Sequence, residues 1–226
     1  MKARRPARRP VAVIFDMDGL MLDTEVLGPQ TWREAAATIG VDFDLRLLPS
    51  MIGRNYRDCR EMLREHYGQA YPVEQLTATC LSVFDAIVAR EGIALKAGLR
   101  ELLDWLEAEN VMRAVATSTR RDRAEAQLTQ HGLFARFATL VGGNEVERGK
   151  PAPDIFLLAA SRLDVAAADC VVLEDSEPGV RAALAAGMMP IMVPDLHHPS
   201  ASLLEREPLV LSSLHDVRAH LALLPL

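Results

Sequence analysis

Apolar residues gather in five short β-rich runs, and most of them stop at polar residues. The runs cover residues 11–15 before Asp16, 113–116 before Thr117, 139–141 before Gly142-Gly143, 171–173 before Glu174-Asp175, and 190–193. Runs this short, bounded by polar or turn-forming residues, read as strands. Between the later runs the period becomes helical. Leu99, Leu102, Leu103 and Leu106 recur at i, i+3, i+4 and i+7 and define one apolar face. Helices are also predicted over about 121–131, 153–163 and 177–186, with Gly132 and Gly187 as C-terminal stops.

Strand and helix alternate, so the pattern predicts an α/β fold. Its core is a Rossmann-like parallel sheet of about five strands, with helices on both faces and right-handed crossovers. Ligands of such sheets bind beyond the carboxyl ends of the strands, where the polar residues named above stand. One segment breaks the alternation. From about residue 26 to 94 there is no clear strand, only helical stretches near 30–39, 56–67 and 74–90. An all-helical insertion there forms a small second domain, placed over the sheet's carboxyl edge because it leaves the chain just after Asp16. The expected organisation is a disordered basic tail over 1–10, an α/β core from 11–25 and 95–226, and a helical insertion over 26–94.

Composition narrows the function. Half of the 226 residues are apolar, a quarter are charged and a twentieth are aromatic, ordinary for a globular protein with a proper core. The formal charge is −6, and Lys2, Arg4, Arg5, Arg8 and Arg9 all lie in the first ten residues, so the body is more acidic still. That argues against a nucleic-acid surface, and the short, Pro-broken tail reads as solvated. The apolar stretch 11–15 is cut short by Asp16 and Asp18, unlike a signal peptide. No run approaches the ~18 apolar residues of a membrane span. Cys59, Cys80 and Cys170 form no CxxC pair and read as reduced thiols of a cytoplasmic protein.

Each strand end offers chemistry that is ambiguous alone. The carboxylates of Asp16-Met17-Asp18-Gly19 repel each other unless a cation intervenes, yet the same residues form an ordinary turn. An EF-hand is excluded by the early glycine and the missing closing glutamate. Thr117-Ser118-Thr119 precedes a helix and suits either a phosphate or a plain N-cap. Lys150, ahead of Pro151, either neutralises phosphate charge or is a solvated surface group. Glu174-Asp175 either cap a helix or bind a metal. His197-His198 point apart and read as a solvated loop. Together the strand ends bring carboxylates, hydroxyls and one ammonium group to one edge, the set that phosphoryl transfer requires. No GxSxG or GxGxxG accompanies them.

With these motifs in view, the chain resembles the haloacid dehalogenase superfamily. The matching stretches are DMDGLMLDTE at 16–25, ATS at 116–118, GKPAPDIF at 149–156 and VVLEDSEPGV at 171–180, in family order. The closest subgroup is the β-phosphoglucomutase-like phosphatases, and the insertion resembles their helical cap. The resemblance implies a Mg²⁺-dependent phosphatase acting on small phosphomonoesters such as sugar phosphates. Asp16 would be the nucleophile, giving an aspartyl phosphate, and Asp18 the general acid and base. Thr117, Ser118 and Lys150 would hold the phosphoryl group. Mg²⁺ would bind Asp16, the backbone carbonyl of Asp18, and Asp175, with Glu174 in support.

Departures refine this picture. Dehalogenating relatives lack the aspartate corresponding to Asp18, so Asp18 points to phosphate esters. Gly28, followed by Pro29, stands where mutases carry a cap-hinge histidine, which disfavours a mutase. Arg54 and Arg57 are candidate substrate contacts from the cap, while Tyr56 stands where the family's phosphate-binding arginine is expected. The cap's few aromatics do not favour a nucleobase-stacking pocket. The rival readings are a sugar-phosphate mutase and an aspartate-phosphorylated regulatory domain, the latter disfavoured by Asp18. The expected partner is a phosphorylated small molecule, with no nucleic acid, membrane or obligate protein partner.

Overall fold

The computed structural model describes residues 2, 3 and 5–225, so Arg4 of the basic tail lies outside it. The strands are β1 Ala12–Phe15, β2 Met112–Thr117, β3 Thr139–Gly142, β4 Cys170–Glu174, β5 Met189–Met192 and β6 Leu209–Val210. All pair in parallel, in the order β3-β2-β1-β4-β5-β6. That is the doubly wound order, in which the connections run outward on both sides of a central strand. The sixth strand was not expected. Leu209–Val210 is too short to show a period, and only its pairing with Ile191 and Met192 defines it.

Side chains alternate across β1, so its two faces serve two cores. In chain order the helices are α1 Gly28–Ile39, α2 Leu48–Met51, α3 Tyr56–Tyr67, α4 Val73–Glu91, α5 Leu99–Ala108, α6 Arg121–Gln130, α7 Asp154–Leu163, α8 Glu177–Ala185, α9 Ala201–Leu204 and α10 Leu214–Ala222. Val13 and Phe15 pack with the four leucines of α5 on one face, while Ala12 and Ile14 pack with Ile155, Phe156 and Ala159 of α7 on the other. Every residue of β1 and β4 is buried, as a sheet covered on both faces requires.

Among the described residues, 26–94 hold helices and no strand of the sheet. The chain's exit and return lie side by side. Asp23 N donates to Ala94 O (2.9 Å), Lys96 N donates to Met21 O (2.9 Å), and Lys96 Nζ reaches Asp23 (3.1 Å) and Asp195 (2.6 Å). Inside the helical segment Trp32 stacks on Phe43 at 4.7 Å and Tyr67 on Tyr71 at 4.1 Å.

The tail is not free of the body. Ala3 N donates to Arg206 O, Arg8 pairs with Asp169, and Arg9 pairs with Glu109 and lies 5.7 Å over the Trp105 ring. Lys2 and Arg8 stay exposed while paired with acidic residues of the body, and Arg9 is half-buried. No helix among the described residues is long and apolar enough to cross a membrane.

Candidate active site

Asp16 is the first residue past β1, and the register fixes it. Its backbone N–H donates to Leu173 O (3.0 Å), the last rung before β4 ends at Glu174. Asp16, Glu174 and Asp175 therefore converge, with carboxylate oxygens within 4.8 Å of one another, all buried. Lys150 enters from the loop before α7. Its ammonium donates to Asp16 Oδ1 (2.5 Å), Glu174 Oε1 (2.6 Å) and Ala116 O (3.2 Å). The side chain is 1 % exposed, so the solvated reading of this lysine does not hold. Burial works to lower its pKa, but Asp16 and Glu174 outweigh that and hold the ammonium above its ordinary value.

Three carboxylates around one ammonium leave two negative charges uncompensated. Burial first, then the neighbouring carboxylates, push Asp16 and Asp175 well above the usual carboxylate range, with Lys150 only partly opposing. A hard divalent cation relieves this frustration, and an all-oxygen donor set suits Mg²⁺. The residues present therefore fit the ion. Glu174 is already engaged on both oxygens, since Oε2 accepts from Ser176 N (2.9 Å) and Ser176 Oγ (2.8 Å). It holds the cluster in place, whereas Asp175 has no side-chain donor among the described residues. Gly19 makes room for Asp175. It sits at φ +76, and a Cβ there would lie 2.2 Å from Asp175 Oδ2.

Asp18 turns from this cluster toward the end of β2. Its Oδ2 accepts from Thr119 Oγ1 (2.7 Å) and Thr117 Oγ1 (3.2 Å), while Thr119 N donates to Thr117 Oγ1 (3.0 Å). Thr117 is fully buried. Ser118 faces the helical insertion instead and donates to Gly53 O at 2.8 Å. Gly53 (φ +75) would bring a Cβ within 2.4 Å of Ser176 Oγ, so the insertion rests on both core loops at once.

The insertion closes over the strand ends. Arg123 of α6 pairs with Asp85 of α4 (2.5 Å), and Arg57 donates to Glu147 O. Between the two bodies lies a cavity of about 390 Å³ that includes Asp16, Asp18, Thr117, Ser118 and Arg54 in its walls. Arg54 thus reaches the site, whereas Arg57 is held on the backbone outside it. Lys150 lies beneath the cavity floor. The insertion's aromatics are less dispersed than their number suggests, because Trp32, Tyr56 and Phe84 all line this cavity. His197 lines it too, and His198 does not.

Several residues here stand inside the motifs but are given no individual role by the sequence. Thr119 lies two positions past Thr117, and Ser176 one past Asp175; only the folded loops show that they hold Asp18 and Glu174. Glu25, the last residue of the first motif, is pushed up to about 7 by burial, then by Asp18 and Asp195. Thr24 Oγ1 and Gln127 Oε1, also at the cavity, are buried without a partner.

The haloacid dehalogenase-like hydrolase family model matches residues 11–187, and the chain belongs to that family. A phosphorylated carbohydrates phosphatase of Thermotoga maritima is 33 % identical, over 78 % of this chain and 82 % of its own. The bifunctional riboflavin kinase/FMN phosphatase of Arabidopsis thaliana is 32 % identical over 91 % of this chain. This chain spans about half of that relative, 54 %. Among solved structures, CbbY from Rhodobacter sphaeroides in complex with phosphate superposes with a TM-score of 0.77. It is 29 % identical, over 92 % of this chain and 96 % of that one. The protein is thus a hydrolase of the phosphatase branch, built on a parallel core with a helical cap.

Proposed function

We propose that this enzyme hydrolyses small phosphomonoesters, sugar phosphates and related esters, through an aspartyl phosphate formed on Asp16. The observation that carries this reading is the setting of Asp16. It is a buried carboxylate at a strand end, held by Lys150 and opening into the same cavity as Asp18 and Thr117. Asp16, the backbone carbonyl of Asp18, and Asp175 would hold Mg²⁺, with Glu174 orienting the cluster. The ion supplies charge neutralisation for a phosphate dianion among carboxylates and polarises its oxygens.

A carboxylate oxygen of Asp16 attacks phosphorus as the P–O bond to the alcohol breaks, and Asp18 donates its proton to the departing oxygen. Asp18 then takes a proton from water as that water attacks the aspartyl phosphate, releasing inorganic phosphate and freeing Asp16. Thr117, Ser118 and Lys150 stabilise the transferring group's oxygens, for which Thr117 exchanges its bond to Asp18, and Ser118 its bond to Gly53 O, for one to phosphate. Cap closure excludes bulk water during the first step. Three buried free thiols fit a cytoplasmic setting.

The test is phosphate release with Mg²⁺ across a panel of phosphomonoesters, for wild type and Asp16→Asn. The variant is expected to lose several orders of magnitude in kcat, and quenched wild type to carry phosphate on the peptide containing Asp16. Near wild-type turnover by Asp16→Asn would overturn the assignment. A mutase is separated by incubation with β-glucose 1-phosphate, with and without the sugar bisphosphate. Free phosphate is expected, because Gly28 offers no side chain to hold Asp18 out of position and Asp18 is free to activate water; faster accumulation of glucose 6-phosphate would promote the mutase.

A further inference from the structure

We infer that the alcohol released by this enzyme carries a flat aromatic heterocycle, as in a nucleoside or flavin 5′-phosphate, and is not a bare polyol. The inference rests on the phosphatase reading for its phosphate end and on the cavity for the remainder. Asp16, Asp18 and the Thr117–Ser118 turn form the core side of one continuous space. The leaving group must therefore occupy the cap side, and that side is walled by Trp32, Leu48, Met51, Tyr56, Leu81 and Phe84.

Such walls suit one kind of occupant. Each hydroxyl of a polyol gives up water on entering and needs a partner, and buried hydroxyls without one are costly. Of these six side chains only Tyr56 carries a hydroxyl, and the polar groups of the wall, among them Glu25, Arg54, Arg123 and Gln127, stand around this apolar face without covering it. The face of an aromatic ring loses little on leaving water and gains contact with aromatic walls, while its polar edge still needs partners. At about 390 Å³ the space is of ligand size, and glycerol or a triose would leave much of the apolar wall bare.

Two polar atoms make the pocket more than a hydrophobic slot. Gln127 Oε1 and Thr24 Oγ1 line it and are buried without a partner, which native interiors rarely tolerate. Gln127 follows Arg123 by four residues on α6, and Asp85 follows Leu81 by four on α4, so each pair shares a helix face. The Arg123–Asp85 ion pair joins these faces, and Gln127 lines the same cavity as Leu81 and Phe84. An amide there reads the donor and acceptor edge of a heterocycle lying against the apolar wall.

The experiment compares kcat/KM for phosphate release from ribose 5-phosphate and glycerol 3-phosphate with that from uridine 5′-phosphate, adenosine 5′-phosphate and flavin mononucleotide. The best ring-bearing ester is expected to exceed ribose 5-phosphate by about tenfold or more, the effect of burying one ring. Phe84→Ala should lower that ratio about tenfold, and Phe84→Leu, which keeps the packing, about threefold. Equal or better turnover of ribose 5-phosphate overturns the inference, as does an unchanged ratio in both variants. The same esters are titrated against Asp16→Asn by calorimetry. If no ester is hydrolysed, the phosphatase reading fails, and the binding order still decides the ring. Ring-bearing esters binding at least tenfold tighter than ribose 5-phosphate sustain it, and anything less overturns it.

Discussion

Removing the Lys150 ammonium tests the electrostatics of the site most directly. Lys150 donates to Asp16 at 2.5 Å and to Glu174 at 2.6 Å, and the side chains are 1 %, 7 % and 0 % exposed. Solvent therefore screens none of the three, and the small values typical of surface ion pairs do not apply. Lys150→Met keeps most of the apolar stem but strands two carboxylates beside Asp175. Breaking a buried pair from one side costs about 3–5 kcal/mol, because the remaining charge is uncompensated. For a chain of 226 residues that corresponds to a fall in Tm of roughly 6–20 °C. The sign with pH follows from the buried carboxylates. Asp16 and Asp175 have raised values in the folded state, so their contribution to stability is present at low pH and is lost as pH rises through those values. Without Lys150 to oppose that loss, the deficit should be larger at pH 7.5 than at pH 5. The assay is thermal unfolding of chelator-treated wild type, Lys150→Met and Lys150→Met/Glu174→Gln at both pH values. The double variant should recover about 1–3 kcal/mol, since the amide oxygen still accepts from Ser176 while one charge is gone. A Lys150→Met protein melting within about 2 °C of wild type at pH 7.5 would refute the reasoning, as would a deficit indifferent to pH.

Activity should vanish in excess chelator and return with Mg²⁺, while Ca²⁺ supports it poorly because its looser coordination misplaces in-line attack; full activity after exhaustive chelation would contradict this. Mg²⁺ should raise the Tm more at pH 8 than at pH 5, because only ionised Asp16 and Asp175 bind it, and equal shifts would argue against those ligands. Gly19→Ala should weaken Mg²⁺ binding tenfold or more, read by calorimetry, since its Cβ would fall 2.2 Å from Asp175 Oδ2 at a strained φ. The raised Glu25 value predicts a loss of stability between about pH 4.5 and 7 in the metal-free protein, and Glu25→Gln should flatten it in thermal melts across that range.

How much of this was legible in the sequence differs between core and cap. Strands β1 and β4 were readable because each is fully buried and runs straight into a candidate site residue, so one apolar run marks both fold and site. Strand β6 escaped because two residues carry no period. Lys150 was ambiguous for a physical reason. A lysine before a proline-bounded helix start is usually solvated, and only the parallel pairing of β1 with β4 puts two carboxylates where its ammonium must go. Arg54 and Arg57 show the limit of spacing arguments. They lie three apart in one short segment, yet Arg54 faces the cavity while Arg57 bonds Glu147 O.

The difference has a common cause. The chemistry is encoded locally, because a strand end delivers its next residue to a place the sheet has already fixed. Substrate choice is encoded across the cap–core closure, in contacts between residues far apart in the chain. Ser118 meets Gly53 across 65 residues, Arg57 meets Glu147 across 90 and Arg123 meets Asp85 across 38. No window of sequence contains such a pair, so the pocket they close has no motif. The first of these contacts also joins the two functions. Ser118 belongs to the turn proposed to face phosphate and bonds the cap through Gly53 O, so one hydrogen bond ties that turn to the cap. If the proposed roles hold, a ligand that fills the cap side would be linked to the residues holding its phosphate by the Ser118–Gly53 bond, the route by which binding energy gained at the ring would reach the reacting end.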